Sequence, residues 1–290
     1  MAKKTNKFLR VNTEDGYFGL GRGIDFQNVL NRLAIIIVLL SSVAATMWKS
    51  FSGATSEASA YFGLNTAAAV LFAWLIAQEL DPDRKLGGVI AAIVALVFAV
   101  LLGVGNVMPL LWLLFILRLL NRTSGAIHKF GDNILLLLLA FWLGREGQWL
   151  YPVFTGIAYI LESRLPRGYF RSLYMGGFAF ALVALAEVSR EPVTISINNI
   201  YLMAVVFVLL LPAISMALYT QFKGDYDNVR ISPRRLQAAQ GSFIVITFAV
   251  AWFHGDAEAL NMAPAWAGAI GVGMSLLAAA LQNAFYKKKI

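Results

Sequence analysis

Long, nearly charge-free apolar runs recur along this chain and constrain its fold more than any other feature. Ten can be drawn: Asn31–Trp48, Ala60–Ala77, Leu86–Val104, Val107–Leu119, Ile134–Leu143, Trp149–Leu161, Leu173–Glu187, Asn198–Tyr219, Gly241–Phe253 and Pro264–Phe285. A helix needs about 20 residues to cross a bilayer core of ~30 Å, with a range of roughly 17–25. The runs do not alternate with period two, as Ile134–Leu139 illustrates, so a transmembrane β-barrel is disfavoured. The predicted fold class is all-α, a polytopic membrane protein of about ten transmembrane helices. Composition agrees. Hydrophobic residues make up 59% and charged residues 14% of the 290, whereas a soluble domain has about a quarter charged. A water-soluble fold of this make-up would expose large apolar patches. That excludes an ordinary soluble enzyme and a disordered chain, and the absence of Cys excludes a disulfide scaffold.

Several runs are short, and residues 133–162 can be read as one interrupted span or as a hairpin around Gly144-Arg145-Glu146-Gly147. Loop charge decides, because cytoplasmic loops carry excess Lys and Arg. With ten spans, 21 of the 24 basic residues lie on the side of the N-terminus, leaving Lys49, Arg145 and Arg190 opposite. With a single crossing at 133–162 the split becomes 12 against 11 and Arg145 lies inside the membrane. The ten-span reading follows, in a cell membrane with both termini cytoplasmic. The net charge of +8 is then an orientation signal, and no nucleic-acid partner is implied. Trp48, Trp142, Trp149, Trp252 and Trp266 fall near the predicted outer ends, where amphipathic rings favour the interface.

The predicted organisation is a cytoplasmic N-terminal arm (1–30), a helical bundle (31–285) and a basic cytoplasmic tail (286–290). The first apolar run reads as a retained span and not as a cleaved signal. Ten spans divide five and five near residue 146, so the second half would enter the membrane inverted. That arrangement is compatible with the inverted repeats of many transporters, although the halves share no residue-level similarity. Small residues at four-residue spacing in the last run, Ala265/Ala269/Gly273 and Ala267/Gly271, suit close helix packing.

Three groups are candidates for chemistry. Glu79, Asp81 and Asp83 follow the second span; as oxygen ligands they suit a hard cation such as Mg²⁺, and Asp-Pro-Asp is also good turn chemistry. Arg118 and Arg122 end the fourth span on the same face, where they can pair with those carboxylates as a gate or clamp an anionic head group. Glu187, His254 and Asp256 lie near the outer face, with His254 able to relay protons. Asn65, Asn198 and Asn199 are candidates to line a polar cavity there. No charged residue occupies the centre of a predicted span, and no HExxH, Walker A or GxSxG motif is present. With two His and no Cys, no metal site is predicted from conventional zinc ligands; the sequence leaves the identity of any cofactor open.

The function expected from these features is a permease-like or transport protein for a small or amphipathic substrate, with the lipid bilayer as its principal partner. The alternatives are a lipid-modifying membrane enzyme with an Asp/Arg site at the cytoplasmic face, and a non-catalytic subunit with a protein partner in a membrane complex. The orientation is testable because the chain has no native Cys. In Ser232→Cys, an impermeant thiol reagent should label only broken cells; labelling of intact cells would reverse the topology.

Overall fold

The computed structural model describes residues 16–186 and 193–287. These form nine helices: α1 (Val29–Phe51), α2 (Ser56–Leu80), α3 (Lys85–Leu102), α4 (Met108–Asn121), α5 (Phe130–Arg145), α6 (Leu150–Arg164), α7 (Ser172–Val183), α8 (Ile197–Met216) and α9 (Pro233–Lys287). The described residues contain no β-strand; one isolated antiparallel bridge joins Lys223 and Arg230. The chain is therefore all-α. Local chemistry sets the helix starts. Asn28 accepts the Leu30 N–H at 2.9 Å to begin α1, and Thr55 caps α2 through Ala58 N, satisfying donors that a helix leaves free at its first turn.

Five helices, α1, α2, α3, α8 with its trailing 3-10 turn, and α9, are long and apolar enough to cross a membrane by length and composition. They mark a membrane protein. The outer surface fits this: along α1, Leu33, Ile36, Leu39, Leu40, Val43 and Met47 are exposed while Ala34, Ser41 and Ala45 turn inward. Large residues facing out and small residues facing in invert the pattern of a soluble helix.

The expectation of ten separate spans is not met among the described residues, which hold nine helices. The ninth and tenth apolar runs are joined within α9. The stretch between them is rich in good helix formers, Ala, Glu, Leu and Met, so the backbone returns to helix at once. Only Gly255 departs, at φ 79° and ψ −162°. A Cβ there would lie 2.7 Å from Val193 Cγ1 and 2.8 Å from Thr194 O, so both the dihedral and the space require glycine. Residues 133–162, by contrast, do form two helices. α5 and α6 are separated by a turn in which Gly147 has φ 88°.

Helices α4 to α7 have 14, 16, 15 and 12 residues, short of the ~20 that span a bilayer. For α4 the reason is its position. Leu110, Trp112, Leu113, Ile116, Leu117 and Leu120 are all fully buried, so α4 is sheathed by protein and need not match the lipid thickness. Around it lies one large core drawn from α2, α4, α6, α8 and α9. A smaller core joins α1, α2, α3 and the last part of α9 through Ala34, Trp74, Ala92, Ala95 and Ala267. There the small-residue stripe of α9 packs on α3: a Cβ on Gly271 would lie 2.3 Å from Gly87 O and 2.6 Å from Ala91 N. Gly273 meets Leu209 of α8 as closely.

Candidate functional site

Helices α2, α4 and α6 end beside one another, together with the first turn of α9, the arm preceding α1 and the loop at 220–232. Helix C-termini present unpaired carbonyls and partial negative charge, and arginines gather there. Two carboxylates are buried among them.

Glu79, in the last turn of α2, is 1% exposed. Its Oε1 accepts Arg22 Nη1 and Arg118 Nε, each at 3.0 Å. Its Oε2 accepts Asn121 Nδ2 at 2.9 Å and the Thr123 hydroxyl. Arg22 reaches on to Asp225 Oδ2 at 2.7 Å, so one guanidinium clasps the arm, α2 and the 220–232 loop together. Burial alone would lower the Arg22 pKa; Glu79 and Asp225 more than reverse this and hold it above the ordinary arginine value. The arm is fixed again by Asp132, whose Oδ2 accepts Gly19 N at 2.6 Å and Lys129 N at 2.8 Å.

Glu162, in the last turn of α6, is fully buried. Its Oε1 accepts Arg122 Nη2 and Arg235 Nη2 at 3.1 Å. Its Oε2 accepts the Ser172 hydroxyl and Tyr169 N at 3.3 Å. Arg235 also donates to Pro166 O at 2.7 Å and Leu120 O at 2.8 Å, stitching the ends of α4 and α6 to the start of α9.

The residues singled out from the sequence are thus divided. Arg118 goes to Glu79 and Arg122 to Glu162. Asp81 pairs with Arg84 at 2.7 Å within its own turn, and its pKa is raised by burial against the pull of Arg84. Asp83 Oδ1 accepts Gln221 N at 3.0 Å and anchors the 220–232 loop. Their oxygens serve the turn and the loop, and among the described residues no three His, Asp or Glu side chains gather as a metal site would require. Arg22, Asp132, Glu162, Asp225 and Arg235 were not singled out. Glu162 lies one residue past the predicted span Trp149–Leu161 and shortly before the basic Arg164 and Arg167, and an acid among basic residues at a span end was the available signal.

One cavity lies at this end of the bundle and another lies at the far end of the first half of α9. The first, of about 640 Å³, is lined by Arg122, Arg167, Arg230, Arg235, Asp227 and Pro166 among others. The second, of about 400 Å³, lies at the Gly255 break. His254 and Asp256 both line it, with Glu146, Gln148 and Glu258. Glu187 lies outside the described residues, so its pairing with His254 does too. Asp256 Oδ1 accepts Ser196 N at 2.8 Å and Asn199 Nδ2 at 2.7 Å, tying α9 to the start of α8. Asn65 bonds within its own helix, to Tyr61 O at 3.1 Å. Glu258, 2% exposed, accepts Tyr151 Oη at 2.5 Å and Asn261 Nδ2 at 2.8 Å. It falls between two predicted spans, so the sequence hid its burial.

No protein-family model, no curated protein and no solved structure matches the chain.

The Glu79 cluster makes a direct prediction. Glu79→Gln leaves Arg22 and Arg118 buried beside a neutral group, which should destabilise the fold by about 3–5 kcal/mol. Trypsin should then cut at Arg22 faster, because the arm loses its clasp. Unchanged cleavage and melting would show that the ion pairs do not hold the arm.

Proposed function

We propose that this chain is an integral membrane permease-like protein for a small or amphipathic substrate. In this reading the crossing segments number ten, with α9 contributing one on each side of Gly255, and the termini share the basic, cytoplasmic side of a cell membrane. Of the four short helices, α4 crosses where protein neighbours shield it, while α5 and α7, with Leu138, Trp142, Tyr174 and Phe178 exposed, cross against locally thinned lipid. The bundle then runs as two five-segment halves of opposite orientation, the plan on which many transporters place a site between repeats.

The observation that carries the reading is the pair of cavities at opposite ends of one helical segment. Arg235 lines the first and His254 the second. The 19-residue rise between them on α9 corresponds to about 28 Å, close to the thickness of a hydrocarbon core. No charged residue lies between them on α9. The barrier is apolar and packed: Leu113, Tyr151, Phe243 and Val250 are fully buried, and Trp112 Nε1 is satisfied by Thr155 Oγ1 at 2.8 Å. Two vestibules separated by one packed layer are what alternating access requires. The wall between them is shared by α4, α6 and α9, and glycine at the outer end of the segment allows α9 to bend there. A lipid-modifying enzyme is the second reading, favoured by the arginines of the first cavity and weakened by the engagement of Asp81 and Asp83 elsewhere.

Single cysteines test the barrier in reconstituted vesicles. Val250→Cys should react with a small impermeant thiosulfonate reagent about tenfold or more faster than Ala92→Cys, which is equally buried but remote from both cavities, since opening of the barrier exposes only the first. Equal, negligible rates at both positions would describe a static wall and remove the transport reading.

A further inference from the structure

The first cavity carries more positive charge than its own structure uses. Arg122, Arg167, Arg230 and Arg235 line it. Glu162 balances one charge of the Arg122–Arg235 pair, and Asp227 stands 3.8 Å from Arg167. Two positive charges therefore remain over. Arg122 is nine-tenths buried, and its Nε is buried without a hydrogen-bond partner. An orphaned donor on a buried guanidinium is costly, so the protein alone leaves the Arg122 head incompletely satisfied. Backbone strain gathers at the same rim. Among the described residues the non-glycine positions with positive φ are Arg122, Arg167 and Asn228; two line the cavity and the third sits between its lining residues Asp227 and Val229. Such strain persists where the surroundings enforce it and clusters at binding sites. The first turn of α9 adds the positive end of a helix dipole, since Pro233 and Arg235 line the cavity as well.

A groove of about 260 Å³ runs between α6 and α9, lined by Phe154, Ile157, Ala158, Leu161, Gly241 and Val245 among others. It lies farther along α9 from the basic cavity: the two share no lining residue, and Gly241 is about 9 Å along the helix from Arg235, a separation that one lipid molecule spans. A Cβ on Gly241 would meet nothing within 4 Å, so the space there is open. A free anion has no use for such a groove, whereas an acyl chain does.

We propose that this paired site binds a lipid carrying a terminal phosphate, its phosphate held by Arg122, Arg167 and Arg230 and one acyl chain laid along the α6–α9 groove. Guanidinium forks match phosphate oxygens in pairs, and the surplus of two charges suits a phosphomonoester. The site stands whether or not the molecule held there is carried across the bilayer, so its test reads binding and not flux.

The test uses the full chain purified in a neutral detergent, with dioleoyl phosphatidic acid, dioleoyl phosphatidylcholine or inorganic phosphate added. Lipid retention is read by native mass spectrometry, and phosphate binding by the melting temperature. Phosphatidic acid should be retained in preference to phosphatidylcholine and should raise the melting temperature. Arg167→Gln and Arg230→Gln, both at exposed positions, should each weaken retention about tenfold. Gly241→Leu fills the groove without touching an arginine. It should weaken phosphatidic acid binding and leave any effect of inorganic phosphate unchanged. Equal retention of the two lipids, or wild-type retention by the Arg167→Gln, Arg230→Gln double variant, would overturn the proposal. Stabilisation by inorganic phosphate equal to that by phosphatidic acid, with Gly241→Leu silent, would overturn the lipid assignment and leave a free-anion site.

Discussion

A carboxylate taken out of water must be met by cations and hydrogen-bond donors, or it will not remain charged and buried. Glu79 and Glu162 meet that requirement at one end of the bundle, and much of the local architecture follows from it. Glu79 draws in Arg22, Arg118, Asn121 and Thr123, which fixes the arm over the ends of α2 and α4. Glu162 draws in Arg122 and Arg235, which fixes the start of α9 against α4 and α6. Arg118, in the last turn of α4, and Arg122, the residue that caps it, thus answer to different carboxylates. The αL conformation of Arg122, φ 53°, turns the chain as α4 ends and coincides with this division.

At the other end of the first half of α9 the solution differs. Glu258 is buried with neutral donors from Tyr151 and Asn261, beside a glycine that interrupts the helix. One end of the segment is held by ion pairs and the other by neutral hydrogen bonds at a break. That asymmetry suits a helix whose charged end is anchored and whose far end can bend, and it supports the permease-like reading without depending on the identity of the cargo.

Much of the fold was legible in the sequence because apolar runs and small-residue spacing report directly on helices and their contacts. The turn at Gly147 and the packing of Gly271 on Gly87 are examples. The joining of the last two runs was not legible, since His254 to Ala263 look like a polar connection until helix propensity is weighed; hydropathy alone hides a helix that continues through polar residues. At the site, the proximity of Glu79 to Arg118 followed from loop charge. Glu162, Asp132 and Arg235 were missed because each depends on contacts between residues far apart in the chain, 73 positions in the case of Arg235 and Glu162. No local pattern encodes such a pairing.

The dependence on buried carboxylates is tested most directly by a double-mutant cycle on Glu162→Gln and Arg235→Gln, read by reversible denaturant unfolding in micelles. Each single change should destabilise by about 3–5 kcal/mol, and the double change by clearly less than their sum, because the second removes the charge that the first left uncompensated. Additivity within about 0.5 kcal/mol would contradict the account and reduce the cluster to independent polar contacts.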